Sequence, residues 1–180
     1  MKKYIMVGIF FVTSLTINNA VASQIKDGVG TYSLPDSSVY NGEFKNGLFN
    51  GKGTLNWRNG NKYEGEFKDG LMEGRGVETQ TNGYRYDGEL KDGSADGRGV
   101  LTYADGSRCE GEFKNGVIDG KGVFTWTYGS KYEGEFKKGM ADGKGVMFIF
   151  NGDKYEGEFK KWLMVGKGVY TWADVSGDVV

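Results

Sequence analysis

The sequence predicts an all-β protein: one elongated, single-layer, twisted antiparallel sheet built from tandem β-hairpin repeats. Three observations point there. A motif typified by Tyr-Glu-Gly-Glu-Phe-Lys starts at residues 40, 63, 86, 109, 132 and 155, always 23 residues apart. Glycine (32 residues) and aromatic residues (14%) are abundant together, against a single proline. Disordered glycine-rich chains are poor in aromatics, so this pairing signals tightly turned β-structure. Inside the motif, apolar and polar residues alternate with the two-residue period of a strand that buries one face.

The chain begins with a separate segment. Lys2 and Lys3 precede an almost wholly apolar run from Tyr4 to Leu15, and Ala20-Val21-Ala22 has the small-x-small form of a signal-peptidase site. Residues 1–22 are therefore expected to be a signal peptide that sends a bacterial protein to the periplasm or outside the cell. A retained anchor is the alternative, although the run is short for a membrane span. Without residues 1–22 the chain holds 21 basic and 24 acidic residues. Residues 23–39 are expected to form a partial repeat, because Gly28, Gly30, Tyr32 and Leu34 match the second half of a unit; Pro35 suits an edge strand. Six units then fill residues 40–177, and residues 178–180 are a tail.

The unit starting at Tyr63 shows the logic. Tyr63, Gly65 and Phe67 share one face, and Glu64, Glu66 and Lys68 the other. Gly76 and positions sixteen and eighteen of the unit alternate likewise with Arg75, Val77 and Thr79, and Asp69 to Gly74 reads as a glycine-rich loop between two short strands. Between units, Asn59-Gly60 and its equivalents are turn signals. A two-residue turn there would send Trp57 and Tyr63 to opposite faces. A three-residue loop of Arg58, Asn59 and Gly60 opposes Leu55 with Tyr63 and keeps the rings together, so Gly60 is expected to be left-handed. Gly53 and Gly65 would then face each other, and rings could lie over bare backbone. Each glycine weakens a strand by about 0.5–1 kcal/mol. Each buried ring contributes about 1.5–3 kcal/mol, which outweighs it. In this unit the repeated structural positions are Tyr63, Gly65, Glu66, Phe67, Gly74 and Gly76.

The pattern read from Tyr40 through Gly60, Y-x-G-E-F-x-x-G-x-x-x-G-x-G-x-L-x-W-x-x-G, resembles the MORN (membrane occupation and recognition nexus) repeat. Departures are Cys109 for the opening Tyr, Leu90 for Phe, Gln80 for Trp, and Trp162 and Val175 for Gly. The resemblance implies an elongated array of antiparallel hairpins. It also implies scaffolding, protein contact, self-association or membrane association, with no catalysis by the repeats themselves.

The residues agree with a non-catalytic reading. The chain has no histidine, the commonest general base and a member of the usual serine triad. Gly116 to Lys121 superficially suggests a phosphate loop but is followed by Gly122 instead of Ser or Thr. Asp142 to Gly145 lacks the further oxygen ligands of a calcium loop. No enzyme, cofactor or metal site is expected, and a net charge of -1 gives no reason to expect nucleic acid. Cys109, the single cysteine, has no partner for a disulfide within the chain and reads as a half-buried filler at a tyrosine position.

Surfaces for recognition remain. The position-eighteen aromatics Trp57, Tyr103, Trp126 and Trp172 are candidates for a contact groove, since a single-layer sheet has no second sheet to cover them. The terminal strand at 168–172, with Val, Tyr and Trp, is a candidate edge for a protein partner or a homodimer. The face carrying Glu64, Glu66, Lys68 and Arg75 is expected to be solvated, its alternating signs satisfying each other; membrane lipid headgroups are the alternative there. Carbohydrate or cell-wall binding by stacked rings is a third reading.

Overall fold

A computed structural model describes residues 26–173. The expected signal segment (1–22), Val175 and the tail (178–180) lie outside the described residues. Thirteen strands form one sheet in sequence order, every pairing antiparallel. They are β1 (Gly28–Ser33), β2 (Val39–Lys45), β3 (Leu48–Asn56), β4 (Lys62–Lys68), β5 (Leu71–Thr79), β6 (Arg85–Lys91), β7 (Ser94–Thr102), β8 (Arg108–Lys114), β9 (Val117–Thr125), β10 (Lys131–Lys137), β11 (Met140–Phe148), β12 (Lys154–Lys160) and β13 (Leu163–Thr171). β1 and β13 do not pair with each other, so the sheet is open.

The loops between units follow the sequence expectation. Leu55 opposes Tyr63. The Trp57 N–H donates to the Asn61 carbonyl at 2.9 Å and the Gly60 N–H to the Trp57 carbonyl at 2.9 Å, with Gly60 left-handed at φ +87°. The connection inside each unit is shorter than expected. Asp69 (φ +50°) and Gly70 (φ +86°) alone form a two-residue turn, the doubly left-handed kind that matches strand twist, and Leu71 to Gly74 belongs to β5. What reads as loop is an enlarged bulge. Gly65 opposes Gly76 and Phe67 opposes Met72, so Glu66 alone faces Glu73, Gly74 and Arg75. Pro35 also differs from expectation: it follows β1, inside the turn closed by the Ser37 N–H on the Leu34 carbonyl at 2.9 Å, where its fixed φ suits the second turn position.

A line of glycines crosses the whole sheet, opposed pair by pair from Gly30 and Gly42 to Gly157 and Gly168. The tyrosine that opens a unit lies over that unit's own two glycines. A Cβ on Gly76 would meet Tyr63 Cζ at 2.5 Å, and one on Gly99 would meet Tyr86 Cζ at 2.6 Å. The phenol then donates to the carbonyl of the fourth residue, Tyr63 to Glu66 at 3.0 Å and Tyr86 to Glu89 at 2.8 Å. Where tyrosines open two successive units, the Phe wedges edge-on between them: Phe67 sits 5.1 Å from Tyr63 and 5.0 Å from Tyr40. Such T-shaped contacts add about 0.5–1.5 kcal/mol to the burial itself. This stacking between hairpins lets a single layer bury one face along its length.

The invariant Glu has its own task. Glu43, Glu112 and Glu135 accept the backbone N–H of Lys52, Lys121 and Lys144 at 2.9, 3.3 and 3.1 Å, closing the bulge. The carboxylate fills the space beside the twelfth-position glycine; a Cβ on Gly74 would meet Glu66 Oε2 at 2.5 Å. Where Cys109 replaces tyrosine, Ile118 takes over, its Cδ1 lying 2.5 Å from a Cβ on Gly122. Cys109 is fully buried instead of half-buried, and burial pushes its thiol up to about 12, which keeps it protonated.

A Cβ on Gly65 would stand 2.5 Å from the Gly76 Cα and 2.6 Å from the Arg75 carbonyl oxygen. Both are backbone and cannot move aside. Gly65→Val should therefore lower stability by at least about 1–3 kcal/mol, read as a lower thermal midpoint. An unchanged melt would contradict this packing.

Candidate functional site

Internal hairpins bury one another, and that rule decides what is left for recognition. Of the four position-eighteen aromatics, Trp126 is buried, Trp57 and Tyr103 are half-buried against the core, and Trp172 is 75% exposed. Tyr103 and Trp126 both touch Phe124, at 5.5 and 4.6 Å between ring centroids. Trp126 also packs on Trp162 at 5.4 Å. These rings are largely used up in packing.

Exposure is concentrated at the C-terminal end. Position sixteen is 0% exposed as Leu55 but 38% as Tyr170, and position eighteen rises from 9% at Trp126 to 75% at Trp172. Leu163, Met164, Val165 and Val169 of β13 are exposed as well, so both faces of that strand present apolar side chains. The cause is positional: among the described residues no hairpin follows to cover β13. Tyr128 and Phe150, exposed on the neighbouring inter-unit loops 6.3 Å apart, extend the same apolar end. Sequence reasoning missed these two, although other units carry polar or small residues there.

The opposite face is polar. The acid at position two is paired along its strand, as in Lys62–Glu64 at 2.8 Å and Arg85–Asp87 at 2.9 Å. These exposed pairs contribute about 0–1 kcal/mol each. The position-thirteen cations, Arg75, Arg98, Lys121 and Lys144 among them, have no ion pair among the described residues, so the signs satisfy each other only in part. They line an open groove of about 1020 Å³. Among the described residues, no group of three His, Cys, Asp or Glu side chains is placed to hold a metal ion.

One polar group sits on the apolar face. Glu78 occupies position sixteen between Tyr63 and Tyr86, where the other units have Leu55, Leu101, Phe124, Met147 and Tyr170. It is 8% exposed, and its Oε1 accepts from Gln80 Nε2 at 2.8 Å. Burial raises its carboxyl above the usual 4.5, opposed by the Gln80 bond. The folded form thus takes up a proton more readily than the unfolded chain. Glu78 destabilises the fold at neutral pH, and that penalty fades as pH falls through the raised value toward 4.5. Glu78→Leu should stabilise the protein by about 1–2 kcal/mol at neutral pH. Denaturation across pH should show the gap between variant and parent narrowing on acidification; a gap constant with pH would contradict the assignment.

The family model of the MORN repeat matches residues 40–62, 63–83, 86–108, 109–131, 132–154 and 155–174. No curated protein matches the chain. Among solved structures, it is similar to the TCP domain of Drosophila melanogaster SAS-4 (dCPAP), determined in complex with a proline-rich motif of Ana2 (dSTIL). That similarity has 14% identity and a TM-score of 0.38, covering 81% of this chain and 90% of that one.

Proposed function

Because this chain belongs to the MORN repeat family, we propose that it is a non-catalytic scaffold that makes protein contacts, with a second copy of itself as the partner at its C-terminal end. The observation that carries this reading is β13. Among the described residues it leaves one row of backbone N–H and C=O groups unpaired, and it exposes side chains at positions that inner units bury wholly or in part. An antiparallel meeting of two β13 strands would continue the ladder that runs through the sheet and bury Val169, Tyr170 and Trp172 on both copies. Such a contact is isologous and closes at two subunits. The β1 edge is a poorer candidate, with Val29 as its one exposed large apolar residue among those described.

Sedimentation velocity tests the reading. The parent chain should be a dimer at micromolar concentration. Val169→Lys combined with Trp172→Ser should be monomeric and still fully folded, because both side chains are exposed within the single chain, and its melting temperature should no longer rise with protein concentration as the parent's does. A monomeric parent chain, or a double variant that still dimerises, would contradict it.

A further inference from the structure

Repeats in one chain report what the fold demands at each position, so departures that cluster mark something the fold does not demand. Unit two, residues 63–85, departs at three linked positions. Glu78 and Gln80 replace the large apolar side chains of positions sixteen and eighteen. Tyr84 replaces the small polar residue of position twenty-two, which elsewhere ties one loop to the next: Ser38 Oγ accepts the Arg58 N–H at 3.2 Å, and Ser130 Oγ the Phe150 N–H at 3.0 Å. Departures elsewhere in the array keep the core apolar. Cys109 is covered by Ile118, and the Trp162 ring packs on Trp126, Tyr132 and Phe136.

Two of the replacements, Glu78 and Gln80, are joined by a hydrogen bond, and the third, Tyr84, is held at the hairpin end by the backbone bond that the equivalent residues Asn61, Ser107 and Asp153 also make. Asn82 Nδ2 donates to Gln80 Oε1 at 3.3 Å, Gln80 Nε2 donates to Glu78 Oε1 at 2.8 Å, and Asn82 Oδ1 accepts the Tyr84 N–H at 3.1 Å. Gln80 and Tyr84 oppose each other across the hairpin end, and the half-buried Tyr84 ring stands 5.6 Å from Tyr103. One carboxylate oxygen of Glu78 is therefore pinned. The other, Oε2, has no donor among the described residues; since no buried side-chain oxygen there lacks a partner, Oε2 is not fully sealed from solvent.

We propose that unit two carries a binding site for an arginine side chain of a protein partner, with Glu78 Oε2 accepting the guanidinium N–H and the Tyr84 ring offering it a flat face. A guanidinium matches both features: planar, permanently charged, able to donate to a carboxylate and to stack on an aromatic ring. No cation pairs with Glu78 among the described residues, and burial raises its proton affinity. A neutral hydroxyl would leave that need unmet. The arrangement also explains why a residue that weakens the fold stands where leucine would strengthen it.

The test is a titration of the full chain with N-acetyl-arginine methylamide, followed by NMR at the side-chain amides of Gln80 and Asn82 and the Tyr84 ring. The expected result is a saturable shift confined to unit two, about tenfold weaker for the blocked lysine analogue, which lacks the planar fork. The shift should be absent for the neutral citrulline analogue and absent in Glu78→Leu. Tyr84→Ser, which restores the residue of Ser107 and Ser130, should weaken binding several-fold while the chain stays folded. No saturable shift in the parent, an equal response to citrulline, or a response that survives Glu78→Leu would overturn the proposal. So would tighter binding of free L-arginine, which would assign the site to an amino acid, or a response to methyl glucoside alone. The site lies in unit two and the self-contact in unit six, so each can fail without the other.

Discussion

A tyrosine ring lying flat on two opposed glycines is the contact on which the rest of this structure depends. It requires bare backbone at two positions eleven residues apart, as at Gly65 and Gly76 under Tyr63. A bulge then offsets the strand, and the glutamate between glycine and phenylalanine closes the backbone that the bulge leaves open. Desolvation and the neighbouring glutamates push the Tyr40 and Tyr132 phenols up to about 12, so each remains a neutral donor to its carbonyl. Tyrosine, glycine, glutamate and phenylalanine thus recur together because each removes a difficulty created by the others.

Interactions of this kind pass only between neighbours, as in other repeat arrays. Phe67 joins Tyr63 to Tyr40, the Gly70 N–H joins the Phe49 carbonyl at 2.9 Å, and Asn61 reaches the Thr81 N–H at 3.1 Å. Each hairpin is covered by the one after it. The final described strand exposes apolar side chains at positions that inner strands bury wholly or in part, a consequence of the same packing that stabilises the middle of the array.

The period, the faces of the strands and the inter-unit loop were legible from residue order, because a ring on the wrong side of the sheet is excluded by simple alternation. Gly60 is left-handed and Leu55 opposes Tyr63 as that argument requires. The turn at Asp69-Gly70 was not legible, because Gly74 looks like loop punctuation until the bulge that needs it is seen. Position ten was hidden for a similar reason: Phe49, Met72, Ala95, Ile118 and Ala141 are all buried, yet the two alanines break the apolar signal. The position-eighteen row was visible as residues, but neighbouring hairpins bury Trp126 and leave Trp172 open, which depends on place in the array and not on residue type. Glu78 shows a different limit. Alternation places position sixteen on the glycine face, but only the register shows its carboxyl enclosed between Tyr63 and Tyr86.

The central claim, that tyrosine rings cover the glycine line, is tested most directly by the Hα chemical shifts of those glycines. Gly53, Gly76, Gly99 and Gly145 lie against the rings of Tyr40, Tyr63, Tyr86 and Tyr132, whereas Gly122 lies against Ile118. Ring currents should move the Hα resonances of the first four well upfield of the usual glycine range and leave Gly122 near it. Ordinary shifts at all five, or the same upfield shift at Gly122, would contradict the account.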